Sequence, residues 1–254
     1  MYNMYQQISL SKLKEKLMNK MLKIGVAALA ISAVCPAFAQ DVEEEAESSV
    51  IGFTPVAVGL ATPVQLPWGL NRWDVFGIDF NLFYSDAPKM YGVDFGGLAT
   101  LTRDKTIGLV VGGLGNISFA DIYGLRATCG LNYTEKSVWG AEVGLIGVRE
   151  NLTGLDVNLL GSFQKEICGL QVSGLANIAK VKSHGCNVAG IANLAETAYG
   201  LQLAIVFNMT KELHGAQIGL INYTEDCPSG FQIGIVNIIL QNKIKFLPIV
   251  NGYF

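Results

Sequence analysis

The chain has 254 residues, half of them hydrophobic and only 15% charged, with 29 glycines and a formal net charge of −3. That length supports one sizeable domain. The absence of a basic stripe argues against nucleic acid as a partner, and no window carries helical i, i+3, i+4 spacing over a useful length.

The N-terminus reads as an export signal. Lys20 and Lys23 form a basic region, Ile24 to Val34 an apolar stretch, and Ala37-Phe38-Ala39 a small-x-small cleavage site. The apolar stretch is too short to cross a bilayer as a helix, which needs about 20 residues. Residues 1–39 are therefore expected to be a cleaved signal peptide, with residues before Met21 as an upstream extension. Cys35 raises lipoprotein processing, but Val34 stands where a small residue is required. Residues 40–50 carry Asp41, Glu43, Glu44, Glu45 and Glu47 in one run and read as a solvated, disordered leader.

Residues 51–254 form one repeat-built unit. Gly77, Gly92, Gly108, Gly124, Gly140, Gly154, Gly169, Gly185, Gly200, Gly215 and Gly230 each open the same short phrase of apolar and small residues. A fixed period of about 15 residues means one supersecondary unit copied many times. With the glycine as position one, positions two and four are apolar (Leu170 and Val172, Leu201 and Leu203, Phe231 and Ile233), whereas one, three and five are small or polar. That alternation predicts a strand with one greasy and one polar face. Near position six it slips: in the copy from Gly169, Gly174 stands where bulk is expected. A bulge, a bend of the sheet, or a corner between two sides of a solenoid coil accounts for such a slip.

The residue before each glycine is often aromatic or amphipathic (Phe76, Tyr91, Tyr123, Trp139, His184, Tyr199, His214), which fits either a membrane interface or ordinary core filling. Polar stretches such as Thr134 to Ser137, Arg149 to Asn151, Gln164 to Glu166 and Thr210 to Glu212 read as hairpin turns.

Two all-β architectures accommodate such a series. One is an up-and-down antiparallel barrel of about 12–14 strands, and the other a parallel β-solenoid with one coil per repeat. The third position holds Asp79, Asp94, Arg126, Glu142, Asp156, Gln171, Asn187, Gln202, Gln217 and Gln232. A solenoid sets Asp79 on Asp94 and Glu142 on Asp156, and like charges in register destabilise. The barrel separates them and is the favoured expectation. The terminal Phe254, which resembles the assembly signal of outer-membrane barrels, points the same way, while a ladder of glutamines speaks for the solenoid.

The phrases Gly215-Ala216-Gln217-Ile218-Gly219-Leu220-Ile221-Asn222 and Gly230-Phe231-Gln232-Ile233-Gly234-Ile235-Val236-Asn237 resemble the units of bacterial surface-repeat proteins, as do the flanks Pro63 to Pro67 and Leu247 to Phe254. The resemblance implies an exported protein of the outer membrane or cell surface and carries no catalytic residues.

Chemistry is sparse. His184 and His214 sit at the aromatic positions rather than in a triad. No helix follows any glycine to cradle phosphate, and Cys129, Cys168, Cys186 and Cys227 include no C-x-x-C pair. The motifs at Asn132, Asn208 and Asn222 match glycosylation acceptors but read as turn chemistry. No enzyme activity, cofactor or metal is expected. Under the barrel reading, the ten third-position residues line a narrow lumen of mild cation preference, with outer-membrane lipid as the surrounding partner. Under the solenoid reading, the chain is a surface-exposed binding or adhesion module with an unknown ligand.

Overall fold

The computed structural model describes residue 50 and residues 52–62, 64–68 and 72–253. The signal segment with Cys35, the acidic leader up to residue 49, Pro63 and Phe254 lie outside the described residues.

Fourteen strands follow one another in a single sheet: β1 (Gly52–Ala61), β2 (Val64–Leu66), β3 (Trp73–Gly96), β4 (Ala99–Gly112), β5 (Gly115–Ser118), β6 (Ile122–Thr128), β7 (Leu131–Thr134), β8 (Ser137–Val148), β9 (Asn151–Ser173), β10 (Ala176–Ala189), β11 (Ala192–Ala204), β12 (Phe207–Ile218), β13 (Ile221–Ile239) and β14 (Phe246–Gly252). No α-helix occurs among the described residues. Successive repeats pair in parallel and in register: Gly169 faces Gly185, which faces Gly200, then Gly215, then Gly230. The same alignment runs from Gly92 through Gly108, Gly124, Gly140 and Gly154. Each repeat is thus one coil lying on the previous one. Eleven leading glycines define ten steps, and at a strand spacing of about 4.8 Å the stack is ~48 Å long. Among the described residues, antiparallel pairing occurs only at the two ends, between β1 and β2 and between β13 and β14.

The fold is the β-solenoid, not the antiparallel barrel. A period of two fixes which side chains share a face but is silent on whether neighbouring strands run the same way. Like charges in register, which counted against stacking, are met in the interior, where Arg149 lies between Glu142 and Asp156.

Each coil has three sides. In the repeat from Gly200, one long side runs from Gly200 to Ala204, with Gln202 and Ala204 inward and Leu201 and Leu203 outward. Ile205-Val206 make an apolar corner. A second side, Phe207 to Thr210, turns Asn208 and Thr210 inward, and Lys211-Glu212 make a charged corner. A short third side, with Leu213 buried and His214 facing out, leads to Gly215. The slip at position six is therefore a corner. There a Cβ on Gly174 would stand 2.0 Å from the Leu159 carbonyl oxygen of the coil before it. The polar stretches expected as hairpin turns are the charged corners, and Arg149 and Gln164 within them point into the coil.

Glycine is required at the third corner for two reasons at once. Gly200 and Gly215 have φ of 115° and 141°, a region costly for side-chain-bearing residues. A Cβ on Gly215 would also lie 2.1 Å from the Gly200 oxygen. Gly200→Ala is expected to lower stability by about 2–4 kcal/mol through strain plus overpacking, whereas Ile205→Ala, outside the packed interior, is expected to stay within about 0.5 kcal/mol. Urea unfolding followed by circular dichroism in mild detergent distinguishes the two.

Candidate functional site

Position three is where the sequence concentrates its polar side chains, and the structure turns all of them inward. Asp79, Asp94, Arg126, Glu142, Asp156, Gln171, Asn187, Gln202, Gln217 and Gln232 are all buried. They share one inward column, but they fill a packed interior rather than line a lumen.

Amides solve the stacking problem most simply, because one amide both donates and accepts. Gln232 Nε2 donates to Gln217 Oε1 at 2.8 Å, and Gln217 Nε2 to Gln202 Oε1 at 2.9 Å. A second column, unread in the sequence, consists of asparagines. Asn177 donates to Asn193, Asn193 to Asn208, Asn208 to Asn222 and Asn222 to Asn237, over 2.8–3.0 Å. Each amide also donates to a carbonyl on the other long side: Asn193 to Leu203, Asn208 to Ile218 and Asn222 to Ile233, over 2.7–2.9 Å. The asparagines therefore bind coil to coil and side to side. Asn132, Asn208 and Asn222, read as turn residues, are fully buried members of this column. Their signal was the asparagine that recurs seven or eight residues after the leading glycine.

Where acids replace amides, arginines enter the interior. Glu142 stacks directly on Asp156. Arg149 reaches across the coil and contacts Glu142 at 3.2 Å and Asp156 at 3.0 Å, while Arg126 pairs with Glu142 at 2.6 Å. Gln171 donates to Asp156 at 3.0 Å and Asn158 donates to it at 2.6 Å. Two acids and two guanidinium groups thus balance in a sealed space. Burial pulls the Arg126 guanidinium below its ordinary value against the opposing charge of Glu142. Inside Arg149 the acids outweigh burial and hold the proton more tightly.

The N-terminal acids are handled differently. The glycine register lays Gly92 on Gly77, and so Asp94 on Asp79. Asn81 and Ser85 donate to Asp79 at 2.7 and 2.5 Å. Burial pushes the Asp79 carboxyl up to about 6, against the Ser85 hydrogen bond and with help from the negative charge of Asp86. Asp94 is raised well above the carboxylate range by burial and then by Asp79. Burial thus eases proton uptake at both carboxyls.

Below the polar columns runs a thin apolar one, with Ile122, Val138, Leu152 and Ile167 behind the short side. On the outside of that side the aromatic positions stack coil on coil. Phe76 lies on Tyr91 with centroids 4.6 Å apart, Tyr123 on Trp139 at 4.7 Å, and Tyr199 on His214 at 4.5 Å. His214 also contacts Ser229 at 3.1 Å and Glu212 at 2.9 Å. Stacked this way, the rings present edges outward. Cys129, Cys168, Cys186 and Cys227 are free, the first two exposed. Among the described residues no group of three or more His, Cys, Asp or Glu is placed to hold a metal ion.

Two expectations follow from the buried charges. Arg149→Met leaves Asp156 without its cation and is expected to cost about 3–5 kcal/mol; adding Asp156→Asn is expected to recover much of it, as unfolding of both variants would read. For Asp79, the folded pKa lies above the unfolded 3.8, so its stabilising effect is complete below pH 3.8 and fades as pH rises through about 6. Stability is expected to fall by about 2–3 kcal/mol across that window. Asp94→Asn is expected to flatten the decline, raising the urea midpoint at pH 8 and leaving it unchanged at pH 4.

Comparison with protein-family models, with curated proteins and with solved structures finds no match for this chain.

Proposed function

We propose that the chain is an exported, non-catalytic β-solenoid of the bacterial cell surface or outer membrane, working through its exterior as a structural or binding module. One observation carries this reading. The inward polar side chains are buried and pair largely with one another, while the outward positions of the long sides are apolar and exposed. A side chain already bonded inside a sealed coil is unavailable to substrate or solute, so any partner meets the outer surface. Continuous exposed apolar surface of this extent marks interaction sites in soluble and membrane proteins alike. The signal-like N-terminus and the resemblance of the repeat to bacterial surface-repeat units support the location.

Surface labelling tests the reading. In intact cells of its native host, an impermeant amine reagent is expected to label the exposed lysines of the charged corner, such as Lys165 and Lys211, and fractionation to recover the chain with the envelope. Recovery in the cytoplasmic fraction, unlabelled until lysis, would falsify it.

A further inference from the structure

The exterior is apolar in a directed way. The apolar corner carries Leu114, Leu159, Ile205 and Ile235, each 66–69% exposed, and so forms a ridge along the stack. The long side before it adds outward Ile78, Leu125, Leu170 and Phe231, all exposed, and the side after it adds Ile221 and the half-buried Phe163 and Met209. From residue 92 to residue 239, every charged side chain that points outward lies on the charged corner or the short side next to it. There, acids and lysines interleave: Lys165 pairs with Glu150 and Lys211 with Glu196 across coils. The short side also carries the aromatic and histidine ladder. In cross-section the coil is a wedge, with an apolar edge, two apolar flanks and a base of charge and amphipathic rings.

We propose, building on the reading of the exterior as the working surface, that this wedge sits in one leaflet of a lipid bilayer. The apolar ridge points toward the bilayer centre, and the aromatic, charged short side lies at the headgroups. Four observations favour lipid over a second copy of the chain. First, the depth matches: from Gly200 to Ile205 the flank rises five residues, ~16 Å at strand rise, against about 15 Å for half of the hydrocarbon core. Second, the flanks measure ~800 and ~600 Å², whereas a stable dimer covers about 800 Å² per partner. A flat two-fold contact therefore hides one flank and leaves the other in water, while acyl chains cover both. Third, rings with polar atoms and lysines gather on the one side that meets headgroups, as amphipathic residues do at membrane interfaces. Fourth, the backbone hydrogen bonds run along the stack from coil to coil, so the flanks offer lipid no unpaired backbone donors or acceptors. The short edge strand β2 and Pro248 in β14 limit what the ends expose.

The native cysteines report the orientation without substitution. Cys129 lies on the apolar corner and Cys168 on the short side, and both are exposed. The full chain, purified in detergent and reconstituted into phosphatidylethanolamine–phosphatidylglycerol vesicles, is expected to float with them on a density gradient. A charged, membrane-impermeant thiol reagent is then expected to modify Cys168 at least tenfold faster than Cys129, read by peptide mass spectrometry, and both alike after denaturation. Ile205→Lys with Ile235→Lys, on side chains outside the packed interior, is expected to reduce flotation at least tenfold with an unchanged circular dichroism spectrum. Lys211→Gln with Glu196→Gln is expected to retain it. Flotation with Cys129 as reactive as Cys168, or a ridge variant that floats like the parent, overturns the proposal. So does a chain that stays in solution as a dimer with Cys129 protected and no lipid bound; that result leaves the surface-module reading intact, since localisation is read separately.

Discussion

Parallel stacking in register places every side chain on its counterpart in the next coil, one strand spacing away. That constraint governs the rest of the molecule. Each inward position must hold a residue that tolerates its own kind as a neighbour, and the interior shows three ways of meeting this demand. Glutamines and asparagines chain donor to acceptor. Acids at Glu142 and Asp156 admit an arginine between them. The acids at Asp79 and Asp94 have no arginine between them, and burial raises both carboxyls above their ordinary range. Outside, the same constraint makes stacked aromatic rings and cross-coil ion pairs.

The sequence displayed more of this than it allowed to be assembled. The period, the leading glycines, the alternation and the inward third position were all legible, because each is local to one repeat. Strand direction was not, since alternation is identical in parallel and antiparallel sheets. The like charges at position three count against stacking when that position is taken alone. The residue that permits it, Arg149, comes seven residues after Glu142, in a stretch that reads as a polar turn, and reaches the acids only once the coil has bent around a corner. Asn132, Asn208 and Asn222 were obscured in the same way: each stands before a turn-like Thr, and the partners that tie it to other strands lie 10–16 residues away. What was missed is therefore the contact across a coil, which no short window contains.

An interior of amides and ion pairs contributes to stability differently from an apolar core. A protein hydrogen bond is worth about 1 kcal/mol net because water competes for the same groups, and a buried ion pair scarcely repays its desolvation. The ladder is nonetheless expensive to break, since a single unpaired amide or acid in a sealed coil loses its partner without regaining water. Such an interior enforces register more strongly than it drives collapse. A one-residue slip of one coil would send its apolar residues inward and its amides outward, breaking the column above and the column below together.

The inverted exterior follows from the same economy. The coil is too narrow to hold a conventional apolar core beside two polar columns, and the apolar interior is a thin file of small clusters, with Met90 in one, Ile122, Val138, Leu152 and Ile167 in the next, and Leu213 and Ile239 in a third. The apolar half of each strand is accordingly turned outward, where in water it would be a liability. Confining charge to one corner makes that liability directional: an apolar medium can receive the two flanks while the charged corner and the aromatic ladder stay hydrated. An evenly mixed exterior would offer no such division. The asymmetry of the outside, more than its hydrophobicity, is what the proposed seat at a bilayer boundary rests on.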